Sequence, residues 1–119
     1  MFLQPLVQRL SRGNPEVTGA LLVDATGAVL ASEGLGDQLA TAAVALVVPL
    51  REFLDRAAAE LGCGALTGTV VEGSGSSFAL ADIDGARTAI VLGRGGCSPG
   101  ALRADALWLA DQARMADAA

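Results

Sequence analysis

Apolar and polar positions alternate along this chain with two distinct periods. Near the start, Leu3, Leu6, Val7 and Leu10 recur at helical spacing, which predicts a short helix over Phe2–Arg12 that Gly13-Asn14-Pro15 ends. Val17–Asp24 reads as a strand with apolar residues on both faces, and such a strand is usually central, with helices covering each side. Asp24-Ala25-Thr26-Gly27 is a tight turn with glycine where a positive φ is wanted, and Ala28–Ser32 returns as a second strand. Asp37 is the expected N-cap of a long helix running to Leu61, where Gly62 stops it. Pro49 inside that helix predicts a kink or break near residue 48. Three short strands follow over Leu66–Glu72, Ser76–Asp82 and Thr88–Leu92, joined by Gly73-Ser74-Gly75 and Asp84-Gly85 turns. Ser98 caps a last helix that Pro99 opens and that runs to about Met115, with Ala116–Ala119 fraying.

Strands joined by tight turns are antiparallel. The expected fold is therefore α+β: a five-stranded antiparallel sheet between one long helix on one face and two helices on the other, in the order α-β-β-α-β-β-β-α. Residues 1–119 are expected to form one domain, because the sequence shows no repeat and no linker. On the long helix, Leu39, Ala43, Leu46, Leu50, Phe53, Leu54, Ala57 and Leu61 are the stripe expected to face the sheet. Arg51, Glu52, Asp55 and Arg56 are expected on the opposite, solvated side, with Glu52 and Arg56 spaced for an ion pair. The first half of the helix is apolar all round. Thr41, Val44, Ala45 and Val48 form a second apolar side that a partner chain is expected to cover. The first and last helices are expected to share a face, with Trp108 as a core anchor between them.

Composition sharpens this picture. Hydrophobic residues make up 52% of the 119 residues, more than a compact chain of this size hides easily. The net charge is −5, there is no lysine, and the eight arginines are scattered, so nucleic acid is not an expected partner. The longest apolar stretch, Leu39–Leu50, is too short to span a bilayer, and the N-terminus lacks the pattern of a signal peptide. The expectation is a cytoplasmic protein without a membrane partner, with Cys63 and Cys97 as small, at least partly buried thiols rather than a disulfide.

The chain has no histidine, lysine or tyrosine, which removes the commonest general base, Schiff-base chemistry and the phosphate-binding lysine together. Gly93-Arg94-Gly95-Gly96-Cys97-Ser98 fails as a phosphate loop for want of lysine and spacing. Asp82-Ile83-Asp84-Gly85 lacks the remaining ligands of a calcium loop, and two cysteines cannot complete a zinc site. No catalytic, cofactor-binding or metal residue is expected, and the chain is read as a binding module, not an enzyme.

The succession of pieces resembles the Roadblock/dynein light chain family over roughly Val17–Met115. It rests on the Thr18–Ser32 hairpin with its Asp24-Ala25-Thr26-Gly27 turn, and on a long Leu/Ala helix ending in Glu60-Leu61-Gly62-Cys63-Gly64. Val70-Val71-Glu72, Thr88-Ala89-Ile90-Val91-Leu92 and the Gly-rich entry to the last helix complete it. The resemblance implies a profilin-like Roadblock fold and a homodimer in which the strand after the long helix pairs with its mate and the long helices lie side by side. It also implies a bacterial, MglB-like regulator of a Ras-like, MglA-type small GTPase that binds no nucleotide itself. The expected interface is Thr41, Val44, Ala45 and Val48 on the helix with Thr67, Thr69, Val70 and Val71 on the edge strand, since an uncovered edge is prone to pair. A small-molecule-sensing or scaffold domain of the same fold class is the alternative, and a thiol enzyme or esterase using Cys63 or Cys97 a weaker third.

Overall fold

The computed structural model describes residues 3–118. Its elements are α1 (Gln4–Gly13), β1 (Val17–Val23), β2 (Val29–Glu33), α2 (Asp37–Glu60), β3 (Gly68–Glu72), β4 (Ser77–Asp82), β5 (Thr88–Gly93) and α3 (Pro99–Ala118). The expected helix start at Phe2 and the last residue of the expected fray, Ala119, lie outside the described residues, whereas residues 116–118, expected to fray, continue α3, with Asp117 paired to Arg87. The sheet is five-stranded in the order β2-β1-β5-β4-β3, with every neighbouring pair antiparallel. The strands apolar on both faces, β1 and β5, are interior, and β2 and β3 are the edges.

The two faces of the sheet differ in side-chain size, and this decides how the helices sit. Around Leu22 and Val91, the small side chains of Ala20, Ala31, Ala79, Ala81 and Ala89 keep this surface low toward α1 and α3, which close over it with Val7, Leu10, Leu102, Ala106, Leu109 and Ala113. Leu21, Val23, Leu80 and Ile90 present a bulky surface to α2. The backbone of α3 accordingly lies closer to β4 and β5 than that of α2 lies to any strand. Helix α2 stands off on long side chains, which leaves one of its flanks open.

Local geometry follows the expected punctuation with two exceptions. Gly27, Gly62 and Gly85 adopt φ of 93°, 77° and 87° where the chain must reverse or leave a helix. The Ser98 hydroxyl accepts a hydrogen bond from the Ala101 amide at 3.3 Å, capping α3. Asp37, however, does not cap α2: Gly36 occupies the cap and Asp37 lies in the first turn, where its charge still suits the helix N-terminus. Nor does Pro49 break α2, which runs through it as one helix of 24 residues. Pro49 and Ala45, whose carbonyl loses its partner, are both exposed, so water can serve that carbonyl.

Candidate interaction surface

The facing of α2 departs from the expected phase. Val47 is buried on the sheet, with Ala43, Leu50 and Leu54 packed beside it. Leu39, Leu46 and Phe53, expected on that stripe, are 48%, 67% and 65% exposed, and Leu61 is exposed as well. These three recur every seven residues and so line one flank of α2. Between this flank and the sheet runs a groove with wholly apolar walls, formed by Leu39, Leu46 and Leu50 from the helix and Phe78 and Leu92 from the strands.

The groove opens toward β3. Val71 stands opposite Phe78 and Thr69 opposite Leu80, so both point to the α2 side of the sheet, and Val71 is exposed. The Asp82 amide donates to the Thr67 carbonyl and the Gly73 amide to the Ser76 carbonyl, which fixes the hydrogen-bonding phase of β3. In an antiparallel pair such residues alternate with ones whose backbone points away. Gly68, Val70 and Glu72 therefore direct their amides and carbonyls off the sheet edge, in a strand of regular register.

On its other flank α2 is tied down. Val44 and Val48 are half-buried over the β1–β2 turn: a β-carbon on Gly27 would lie 3.4 Å from Val48 Cγ2 and 3.7 Å from Val44 Cγ1. One turn on, Arg51 is buried rather than solvated, a correction to the expected polar face. Its Nε meets both Asp55 carboxylate oxygens at 3.1 Å, one terminal nitrogen donates to the Thr88 hydroxyl at 3.0 Å and the Arg87 carbonyl at 3.2 Å, and the other donates to Asp82. Burial is the largest single influence on this guanidinium and opposes its charge, but the hydrogen bonds to Asp82 and Asp55 outweigh it and hold its pKa above the ordinary value. The i,i+4 ion pair on α2 is thus Arg51–Asp55, not Glu52–Arg56.

The flanking turns are braced by carboxylates. Asp24 accepts from the Thr26 hydroxyl and from the Thr26 and Ala28 amides, and the Thr26 hydroxyl does most to lower its pKa. Asp84 accepts from the Arg87 amide, which most strongly lowers its pKa, and pairs with the Arg87 side chain. These are the bonds of turns, and among the described residues no group of His, Cys, Asp and Glu is placed to hold a metal ion.

The residues expected at an interface are therefore divided by the structure. Thr41 and Ala45 are exposed, and the Thr41 hydroxyl donates to the Asp37 carbonyl at 2.8 Å. Val44 and Val48 face the β1–β2 turn. Thr67 and Val71 are exposed and Thr69 is half-buried. Val70 sends its side chain to the α1–α3 core while its backbone faces outward. The exposed Leu39–Leu46–Phe53 flank was missed, although its seven-residue spacing was available to find it. Trp108 lies at the rim of the α1–α3 core, half-buried, with the Arg9 guanidinium carbon 5.2 Å from its ring centroid. Both cysteines are free, Cys97 half-buried and Cys63 exposed where a partly buried thiol was expected. No helix among the described residues is long and apolar enough to cross a membrane.

A model of the Roadblock/LC7 domain matches residues 3–93. The chain belongs to this family. Its fold is similar to that of a Roadblock/LC7 domain from Streptomyces avermitilis, at 21% identity and TM-score 0.85 over 98% of each chain. It is similar also to MglB of Myxococcus xanthus, at 17% identity and TM-score 0.87, covering 99% of this chain and 96% of that one. Profilin II of Acanthamoeba castellanii shares the architecture at 16% identity and TM-score 0.69, over 97% of this chain and 98% of its own. Comparison with curated proteins gave no match. The Roadblock domain described here thus has the antiparallel α+β sandwich expected from its pattern, with profilin-like neighbours.

Proposed function

We propose that this Roadblock domain is a cytoplasmic, non-catalytic homodimeric adaptor that binds a Ras-like small GTPase of the MglA type and modulates its activity. The observation that carries the dimer is the adjacency of two unsatisfied features: the apolar Leu39–Leu46–Phe53 flank of α2 and the open edge of β3. A second copy meets both needs at once. Pairing β3 with its mate around Val70 matches every outward backbone group: Val70 faces the second copy's Val70, and Gly68 faces the second copy's Glu72, keeping the two carboxylates apart. In that arrangement the two α2 helices approach across the groove, with Thr69 and Val71 beneath them and Thr41 and Ala45 at the rim.

The GTPase is supported by family membership and by the likeness to MglB. Regulation rather than catalysis is supported by the residue types the chain lacks. Light scattering tests the first half: a dimer mass supports it, and a monomer at all concentrations overturns it. Calorimetry against Ras-like GTPases of the same genome, loaded with GDP or a non-hydrolysable GTP analogue, tests the second. Binding in one nucleotide state supports it, and heat in neither state overturns it.

A further inference from the structure

The two edges of the sheet are treated differently. Edge β3 is regular and bare, whereas the other, β2, is doubly obstructed. Its pairing with β1 shifts register where Ala31 opposes Leu22 and Val29 opposes Val23, leaving Leu30 as the extra residue of a bulge. Beyond the bulge, Ser32 is the residue whose backbone points away from β1, and that backbone is already engaged. The Gln4 side-chain nitrogen donates to the Ser32 carbonyl at 2.7 Å, and the Ser32 amide donates to the Gln4 side-chain oxygen at 3.2 Å. A carboxamide carries one donor face and one acceptor in the geometry of a peptide group. Gln4 therefore occupies the place that a residue of an incoming strand would take.

Its position is fixed from below. Gln4 is the first residue of α1, and α1 is docked by the buried Val7 and Leu10. The strand it guards needs guarding, since Val29 and Leu30 are large apolar side chains left exposed there. Exposed edges with apolar side chains invite strand addition, and side chains laid along the edge are one way proteins prevent it.

We propose that Gln4 closes the β2 edge against pairing with β2 of a second copy, so that sheet-mediated assembly is confined to β3. The closure of β2 stands without the dimer. Only its consequence, an assembly that stops at two chains instead of growing head to head, rests on the proposed β3 pairing.

The test is sedimentation velocity on the full chain over a wide concentration range, comparing wild type with Gln4→Ala and the double variant Gln4→Ala/Ser32→Pro. The weight-average mass of Gln4→Ala is expected to rise at least about two-fold above wild type with concentration, and Ser32→Pro, which removes the outward amide, to reverse the rise. If wild type is a monomer, the same rise from monomer to dimer still supports the closure of β2 while overturning the β3 dimer. A folded Gln4→Ala that keeps the wild-type mass, or a rise that Ser32→Pro leaves intact, overturns the inference. Should Gln4→Ala fail to fold, amide exchange in the wild type decides: a protected Ser32 amide supports the closure, and a Ser32 amide exchanging as freely as that of an exposed loop overturns it.

Discussion

The guanidinium of Arg51 lies against the carboxylate of Asp82, joining the middle of α2 to the end of β4 through a side chain nearly withdrawn from solvent. Asp82 also accepts from the Gly85 amide at 2.8 Å, so the ion pair locks the β4–β5 turn as well as the helix. Since α2 stands off the sheet, this tie and the Ala43–Val47–Leu50–Leu54 stripe are what fix its azimuth, and hence which residues it leaves exposed.

Replacing Arg51 by alanine leaves Asp82 and the Thr88 hydroxyl without their partner. A loss of about 2–4 kcal/mol is expected, below that of a fully buried pair because Asp82 keeps some access to water. Arg51→Lys keeps the charge but cannot reach Asp55, Asp82 and Thr88 together, and is expected to lose about 1–2 kcal/mol. Urea unfolding measures both. An Arg51→Ala loss below ~0.5 kcal/mol would show that the network is incidental.

The two flanks of α2 are expected to respond oppositely to a buried-charge scan. Leu46→Glu and Phe53→Glu place a carboxylate on the exposed apolar flank, and should leave a folded chain whose dimer is weakened by at least about ten-fold. Val44→Glu and Val48→Glu press a carboxylate against the β1–β2 turn, and should instead lower stability by about 1–3 kcal/mol. Light scattering and thermal melts of the four variants separate these effects. A dimer untouched by Leu46→Glu and Phe53→Glu contradicts the flank assignment.

These contrasts show what the sequence could and could not reveal. Unbroken apolar runs within Val17–Val23 and Thr88–Gly93 marked β1 and β5 as interior strands, because a strand covered on both faces must be apolar on both. Turns were legible because glycine at 27 and 85 has a steric reason to be there. The facing of α2 was not legible. Its first half is apolar all round, so periodicity alone fits more than one azimuth, and the expected stripe places Leu46 and Phe53 inward and Arg51 outward. Arg51 follows the buried Val47 by one turn, but its charge argued for solvent, and only the convergence of Asp55, Asp82 and Thr88 makes burial tolerable. The Gln4–Ser32 contact spans 28 residues between a helix and a strand edge, a juxtaposition that no local pattern encodes.

Asp105 accepts a hydrogen bond from Asn14 at 2.8 Å, yet burial dominates and raises its pKa. A carboxyl raised in the folded state binds its proton more tightly there than in the unfolded chain. It therefore opposes folding increasingly as pH climbs from the ordinary carboxylate range through the raised value, and fully above it. Asp105→Asn removes that penalty while keeping an acceptor for Asn14. At neutral pH the variant should match or exceed wild-type stability, by less than about 1 kcal/mol because the group is only partly buried, with the gap closing in acid. Urea unfolding across pH reads the sign, and a variant clearly less stable at neutral pH contradicts it.

Pro49 offers the last test, because it separates the needs of α2 as a helix from its needs as a surface. An interior proline costs a helix about 3 kcal/mol relative to alanine, partly offset by its stiffening of the unfolded chain. In α2 the residues around the lost hydrogen bond, Ala45 and Pro49, are exposed, so Pro49→Ala restores a bond without disturbing the sheet-facing stripe. Stability at a fixed protein concentration is expected to rise by about 1–2 kcal/mol. Pro49 also lies between Leu46 and Phe53 in sequence, so any change in the path of α2 there moves those two side chains relative to each other. If the proposed dimer uses both at once, Pro49→Ala should weaken association even as it strengthens the helix, an opposition that light scattering and urea unfolding on the same samples would reveal. Stability and association rising together would mean that the path of α2 through Pro49 plays no part in the contact.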